Sequence, residues 1–321
     1  MKKNVILLFT ALMLAWPAGA RANGLQMDVN GDGSTDIEDV TALIGFLLGQ
    51  PSGDTDLVVT DVNGDGMADI VDVTDIIAWL LGTPIPQTHE VTITVNGVEF
   101  TMVYVEGGTF TMGATEEQAG VARRNEYPPH EVTLSSYYIG KTEVTQELWV
   151  AVAGGNPSYF QGDMQLPIEN VSMFNCAKFV DQLSELTGKV FRLPTEAEWE
   201  FAARGGNLSQ HFRYAGSDDV KSVAWYEDVS DGAPHAVALL APNELGLYDM
   251  CGNVCEWCQD WYYMYDGAAQ VNPVGPESGN DNVVRGGSFF CTPNGCRVST
   301  RYDLNPYERT NDLGLRLVMN E

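Results

Sequence analysis

A hexapeptide written twice constrains the start of this chain more than any other feature. Asp28-Val29-Asn30-Gly31-Asp32-Gly33 returns 33 residues later as Asp61-Val62-Asn63-Gly64-Asp65-Gly66. Each copy continues with Asp at its ninth and twelfth places, Asp36 and Asp39, then Asp69 and Asp72. Oxygen ligands at places 1, 3, 5, 9 and 12 with Gly at 6 describe an EF-hand-type calcium loop, in which the glycine makes the sharp turn and the seventh residue offers its carbonyl. The predicted Ca²⁺ ligands are therefore Asp28, Asn30, Asp32, Ser34, Asp36 and Asp39, and Asp61, Asn63, Asp65, Met67, Asp69 and Asp72. Asp at the twelfth place, instead of the longer Glu, shortens the reach to the ion. From Gly24 to Pro84 there are eleven Asp, one Glu and no Lys or Arg, a charge of −12. A segment so charged repels itself and buries little without a cation, so metal binding and folding are expected to be coupled.

Helical periodicity follows each loop: Val40, Leu43, Ile44, Leu47 and Leu48, then Val73, Ile76, Ile77, Leu80 and Leu81, with Gly49 and Gly82 as stops. No helix enters either loop, so half an EF-hand is used twice. This arrangement, residues 24–83, resembles a dockerin, the module that plugs enzymes into cohesin-bearing scaffolds. The resemblance implies a cohesin-like scaffold partner and puts Ile37-Glu38 and Ile70-Val71 at the contacting positions. The residues by themselves also read as a calcium-stabilised spacer with no partner.

Lys and Arg number 17 against 44 Asp and Glu, a net charge of −27 over 321 residues. Such a surface repels nucleic acid and disfavours anionic lipid. Met1-Lys2-Lys3, an apolar run from Val5 to Trp16, and the small residues Ala18-Gly19-Ala20 and Ala20-Arg21-Ala22 read as a signal peptide over 1–22. No later run is long enough for a membrane helix. The expected location is secreted, periplasmic or on the surface of a bacterium, where calcium is plentiful and disulfides form.

Thr83-Pro84-Ile85-Pro86-Gln87 reads as a linker, and residues 84–96 as linker plus first strand. From His89 the pattern changes, and residues 97–321 read as a second domain. Apolar alternation at Val91, Ile93 and Val95, at Val103 and Val105, and at Phe110 and Met112 predicts strands. Helices are expected near 145–153, over 175–187 with Phe179, Leu183 and Leu186 on one face, and from Thr195, where Thr195 and Glu198 form a capping box. The later half is rich in Gly and Trp and predicts an irregular α+β domain whose loops need an ion or disulfides to hold them.

Gly107-Gly108-Thr109-Phe110-Thr111-Met112-Gly113, Glu143-Val144-Thr145-Gln146, the run from Arg192 to Glu200, the run from Gly246 to Trp257, Arg285-Gly286-Gly287-Ser288-Phe289 and Gly314-Leu315-Arg316 occur in that order. Together they resemble the formylglycine-generating enzyme (sulfatase-modifying factor) family over about residues 99–319. The resemblance implies an α+β, irregular C-type-lectin-like fold, here joined to a small all-α calcium-binding dockerin-like domain. In the family's enzymes two cysteines with four residues between them follow Gly-Gly-Ser and bind Cu(I), an ion that prefers soft thiolates. A cysteine from a sulfatase Cys-x-Pro-x-Arg segment joins them, and its Cβ is oxidised by O₂ to the aldehyde. The matching positions are Ser288, Cys291 and Cys296, with Cys291 and Cys296 as the copper ligands. Between them stand Thr292, Pro293, Asn294 and Gly295, where the enzymes carry basic and aromatic residues. The pair reads alternatively as a structural disulfide, and the domain as a non-catalytic binding or accessory protein in an extracellular glycan-degrading assembly.

The resemblance also implies a calcium site from Asp249, Gly252, Val254 and Glu256. The residues alone make Asp249 a turn cap and Glu256 a buried partner of an Arg. Cys251, Cys255 and Cys258 have a spacing that tempts a zinc reading, but His89, His130, His211 and His235 show no paired spacing to complete it, which favours buried thiols or one disulfide.

Overall fold

The computed structural model describes residues 27–48, 62, 70–81 and 90–320. The expected leader, the linker over 84–89 and the loop residues Asp61, Asn63, Asp65, Met67 and Asp69 lie outside the described residues. The chain divides into two compact units, Met1–Ile85 and Pro86–Glu321. Among the described residues no helix is long and apolar enough to cross a membrane.

In the first unit the helix Ile37–Leu47 starts because Asp36 is extended (φ −151°) and accepts from the Glu38 amide at 2.8 Å. Asp39 answers by accepting from the Asp36 amide at 2.8 Å, which completes a capping box. Asp39 also accepts from Val29 N at 2.8 Å, and Asp72, at the start of the helix Ile70–Leu80, accepts from Val62 N at 2.7 Å. The second residue of each copy thus donates to the Asp at its twelfth place. Met27, Val29, Val40, Leu43, Val62, Val73 and Ile76 form the small core. Ile44, Leu48, Ile77 and Leu81, expected on the buried faces, are exposed, because two short helices bury only a narrow stripe against each other.

The second unit is built on an antiparallel five-stranded sheet in the order Glu90–Val95, Val98–Val105, Tyr137–Gly140, Val318–Asn320, Phe191–Arg192. Its first hairpin turns at Asn96-Gly97, both with positive φ (48° and 86°), the chemistry of a two-residue turn that follows the strand twist. A four-stranded sheet runs Tyr302–Leu304, Asn282–Arg285, Cys255–Trp261, Leu313–Gly314, its last pair parallel. Smaller sheets join Gln270–Val271, His130–Leu134 and Gly108–Met112, and Ala224–Trp225 with Cys251–Gly252.

Helix Gln146–Ala153 is capped by Thr145, whose hydroxyl accepts from Leu148 N, and it ends at Gly154 in the left-handed region. Helix Met173–Thr187 begins two residues earlier than expected because Ser172 and Asn175 cap it. It buries Cys176, Phe179, Val180 and Leu183, whereas Leu186, expected beside them, is 51% exposed on the last turn. Helix Glu196–Ala203 has the expected Thr195–Glu198 capping box, and all of its residues are buried.

That helix can bury its carboxylates because arginines meet them. Glu196 pairs with Arg301 at 2.6 Å, Glu200 with Arg285 and with Arg204 at 2.8 Å, and Glu198 with Arg192 at 2.6 Å. Elsewhere Arg297 pairs with Glu126 at 2.6 Å and Arg316 with Glu256 at 2.8 Å, all four side chains 0% exposed. Charge-assisted pairs of this kind are short and directional. They, and not disulfides, tie the loops: all six cysteines are free, which corrects the reading of Cys291 and Cys296 as a disulfide.

Candidate functional site

The loop after strand Asn282–Arg285 places the sequence-predicted thiols. Gly286 and Gly287 are both left-handed (φ 89° and 73°), and a Cβ on Gly287 would stand 2.6 Å from Gly295 O. The tight turn swings Ser288 into the interior, where it is 0% exposed and donates to Asp312 Oδ2 at 2.8 Å. Cys291 N closes the turn onto Ser288 O at 2.9 Å. The single 3₁₀ turn Pro293–Gly295 then separates the two cysteines.

Their environments differ. Cys291 is partly exposed and faces a cavity of about 410 Å³ whose walls include Arg123, Cys255, Tyr302, Asp303 and Asp312. Its sulfur lies 3.5 Å from Tyr302 Oη and 3.7 Å from Ser288 Oγ. Tyr302 Oη also donates to Gly295 O at 3.2 Å, and the Arg123 guanidinium lies over its ring at 4.9 Å. Gly295 is required here: a Cβ would meet Tyr302 Oη at 2.6 Å and Cys291 Cβ at 2.9 Å. Cys296 is 0% exposed, belongs to the core cluster that contains Cys251 and Val298, and is not among the walls of the cavity. The spacing of the pair therefore puts Cys291, but not Cys296, where a ligand reaches it.

A thiol from another element stands beside Cys291. Cys255 opens the strand Cys255–Trp261, paired with Leu313 and anchored by its amide on Asp312 O at 2.7 Å. Its thiol, against the opposing effect of burial, brings the Cys291 thiol down to about 5, with Tyr302 and Ser288 acting in the same direction. Cys255 is pushed well above the usual thiol range by Cys291 and by burial. Burial likewise pushes Cys296 well up, which leaves it an inert thiol at neutral pH.

Sequence reasoning missed Cys255, Tyr302 and Asp312. Only Cys255 carried a signal. Successive side chains of a strand point to opposite faces, so Cys255 and Cys258, three apart, cannot share one. The structure puts Cys255 in one core cluster and Cys258 with Cys251 in another, which ends the zinc reading. Trp257, on the same strand, is fully buried core.

Asp249, Gly252, Val254 and Glu256 come together around the same strand entry, but do not fit a calcium ion as arranged. Glu256 receives Arg316 at 2.8 and 3.0 Å and Trp199 Nε1 at 2.6 Å, and so has its cation already. Asp249 (φ 56°) accepts from Ala238 N at 2.7 Å. Val254 N donates to Glu143 Oε1 at 2.9 Å, and a Cβ on Gly252 would stand 2.1 Å from Trp225 O.

The first acidic loop keeps the donor chemistry of a hard-cation site. Asp28 accepts from Asp32 N at 3.1 Å and Gly33 N at 2.9 Å, Asn30 from Asp32 N at 3.0 Å, and Asp32 from Ser34 N at 2.8 Å. Gly31 and Gly33 are left-handed, which winds the loop so tightly. Among the described residues no three His, Cys, Asp or Glu side chains converge at metal distance. The all-oxygen donor set nevertheless fits Ca²⁺ in kind.

Comparison with known proteins now decides the family. The model of the sulfatase-modifying factor enzyme 1-like domain matches residues 92–321. The chain belongs to the sulfatase-modifying factor family. Residues 26–81 match the dockerin type I domain, so a dockerin module precedes the family domain. Over 270 residues the chain is 31% identical to the chaperone protein LppX of Paenibacillus barcinonensis, covering 68% of this chain and 89% of that one. It is 34% identical over 194 residues to the formylglycine-generating enzyme of Streptomyces coelicolor, covering 52% of this chain and 59% of the enzyme. Among solved structures it is similar to Treponema denticola variable protein 1, with a TM-score of 0.66 and 34% identity over 74% of this chain and all of the other. The fold is the irregular C-type-lectin-like α+β one. Relatives with such different names show that fold alone does not assign chemistry.

Proposed function

We propose that the protein is an exported sulfatase-modifying oxidase carried on a calcium-dependent dockerin module. The observation that carries this reading is Cys291: a thiolate-prone sulfur on the family's Gly-Gly-Ser loop, reached from a cavity of about 410 Å³. The substrate is a cysteine in a Cys-x-Pro-x-Arg segment of a sulfatase, and the product is Cα-formylglycine. Cu(I), held by Cys291 and a second thiol, supplies when bound the means for O₂ to oxidise the substrate's Cβ. The chain's own groups bind and orient. Ser288, fixed by Asp312, and Tyr302, braced by Arg123, hold the Cys291 sulfur toward the cavity. Asp303 and Asp312 on the cavity wall offer carboxylates to the arginine of the segment.

The leader over 1–22 directs export. Ca²⁺ bound by Asp28, Asn30, Asp32, Ser34, Asp36 and Asp39, and by the second copy, organises a module that docks a cohesin-like scaffold in an extracellular glycan-degrading assembly. One observation favours a second reading, a non-catalytic binding protein: Cys296 is sealed in the core. Reduced protein incubated with Cu(I), O₂ and a Cys-x-Pro-x-Arg peptide separates the two. An aldehyde-bearing peptide from the parent and none from Cys291→Ser supports the oxidase. A peptide that is bound and recovered unchanged supports the binding protein.

A further inference from the structure

We propose that a second cavity of the larger module, where Arg192 meets Asn320, binds one neutral sugar residue at the end of a glycan chain. This does not depend on the reading of Cys291.

The cavity has a volume of about 370 Å³ and forms where separate elements meet. Strands Phe191–Arg192 and Val318–Asn320 pair and bring Arg192 and Asn320 to one edge. Ser135 and Ser136 join His130–Leu134 to Tyr137–Gly140, and Gln259 comes from Cys255–Trp261. The capping box of Thr195 and Glu198 completes the polar wall. Such a volume lies at the lower end of the roughly 300–1,000 Å³ of small-molecule sites, room for a single ring.

Charge decides the class of ligand. A guanidinium has five N–H donors, and Arg192 has spent all of them. Two go to Glu198 at 2.6 and 2.7 Å, two to Asn320 Oδ1 at 3.0 and 2.8 Å, and one to Leu193 O at 3.2 Å. The Glu198 carboxylate also balances its charge. No guanidinium hydrogen is left for a phosphate, a sulfate or a carboxylate, and no net charge is left to draw an ammonium.

The groups that remain are neutral. The hydroxyls of Ser136 and Thr195 accept from Gly107 N and Glu198 N, both at 3.1 Å, which leaves each a hydrogen to donate. Among the described residues nothing engages the Gln259 side-chain amide or Asn320 Nδ2. Amides and hydroxyls present donors and acceptors side by side. A sugar hydroxyl donates and accepts at once, so a ring bearing several of them satisfies this wall, whereas an apolar ligand strands it.

Leu134, Pro273 and Val274 add apolar surface for the C–H face of the ring. Asn272 holds Pro273 in place. Its φ of 44° is left-handed although it precedes a proline, which favours extended backbone. Reciprocal bonds fix it: Ser135 N donates to Asn272 Oδ1 at 2.8 Å, and Asn272 Nδ2 donates to Ser135 Oγ at 3.0 Å. Backbone constrained in this way clusters at ligand clamps. The cavity is therefore preformed, and binding costs little ordering.

Saturation-transfer difference NMR on the full-length protein tests the proposal. The probes are four neutral tetrasaccharides, cellotetraose, xylotetraose, mannotetraose and maltotetraose, with tetragalacturonate as the charged comparison. Transfer is expected to a ring at one chain end of at least one neutral probe. No transfer to any neutral probe, or equal transfer to tetragalacturonate, overturns the proposal. Gln259→Leu and Asn320→Ala, each shown to be folded by near-ultraviolet circular dichroism, are expected to weaken binding of that probe about 10-fold, the effect of one lost hydrogen bond. Cys291→Ser, at the other cavity, is expected to leave it within about 2-fold, as for an independent site. Undiminished binding in both Gln259→Leu and Asn320→Ala overturns the proposal. So does binding lost in Cys291→Ser and kept in Gln259→Leu, which places the sugar in the other cavity.

Discussion

In the first module Asp39 and Asp72 direct their carboxylates at backbone amides, those of Val29 and Val62. In the second, Glu256, Glu126 and Glu200 direct theirs at arginines on distant strands and loops. Both regions bury negative charge, and the difference lies in where the balancing cation originates. The segment from Gly24 to Pro84 has no Lys or Arg at all, so no cation within it can balance its carboxylates. The larger module carries its own, at guanidinium groups that are 0% exposed. Where it lacks one, as at Asp260, burial pushes the carboxyl up to about 8 and the group stays protonated. Burying a carboxylate leaves three remedies, a metal, a guanidinium or a proton, and this molecule uses the last two in its larger module, whereas the metal proposed for the first module would be the remaining one.

The strongest way to break that comparison is Arg316→Met. It strands Glu256 with Trp199 as its remaining partner, and the expected loss is about 3–5 kcal/mol of stability in urea unfolding, the cost of leaving one buried charge uncompensated. Chelation should come next in size and strike only the other module. Removing Ca²⁺ present at 100 times its dissociation constant withdraws about 2.7 kcal/mol. Helical circular dichroism assigned to residues 26–81 should fall while the melting of the larger module stays put; a shift of both transitions together would show that the two modules do not divide their charge as described.

Two pH experiments sharpen the contrast further. Between an ordinary carboxyl's 3.8 and about 8, the folded chain holds one more proton on Asp260 than the unfolded chain does. Stability from that group is therefore greatest at low pH and falls as pH rises through this window. The isosteric Asp260→Asn should flatten that part of the melting profile; an unchanged slope would assign it to another group. The smallest effect concerns a thiol. Alkylation of Cys291 by iodoacetamide should be near its plateau at pH 7 and decline only as pH falls through about 5, and Cys255→Ala should move that midpoint upward. A midpoint in the ordinary thiol range in the parent would deny Cys255 its role.

The parts of the fold legible in the sequence are those made by neighbours in the chain. The Thr195–Glu198 box and the strand alternation at Ile93 and Val95 each depend on residues a few positions apart, and each is found in the structure. The exposed Leu186 and Ile44 mark the limit: periodicity names an apolar stripe, but the width of the neighbouring surface decides how much of it is covered. The site divides along the same line. Ser288, Cys291 and Cys296 were named through the family resemblance of the Gly-Gly-Ser turn, a local motif. Cys255, Tyr302 and Asp312 were not, because nothing within reach of any one of them in the chain refers to the others.

By itself, then, the sequence determined that this protein opens with an acidic module built on a duplicated oxygen-lined loop and that a Gly-Gly-Ser turn followed by two cysteines lies near its end, since these follow from spacing and charge over a few residues. Only the tertiary structure decided which of those cysteines faces the cavity and which carboxylates have already met their cation. Those questions turn on strands and loops separated by tens of residues, where the pleat of one strand and the direction of one 3₁₀ turn send a sulfur either into the cavity or into the core.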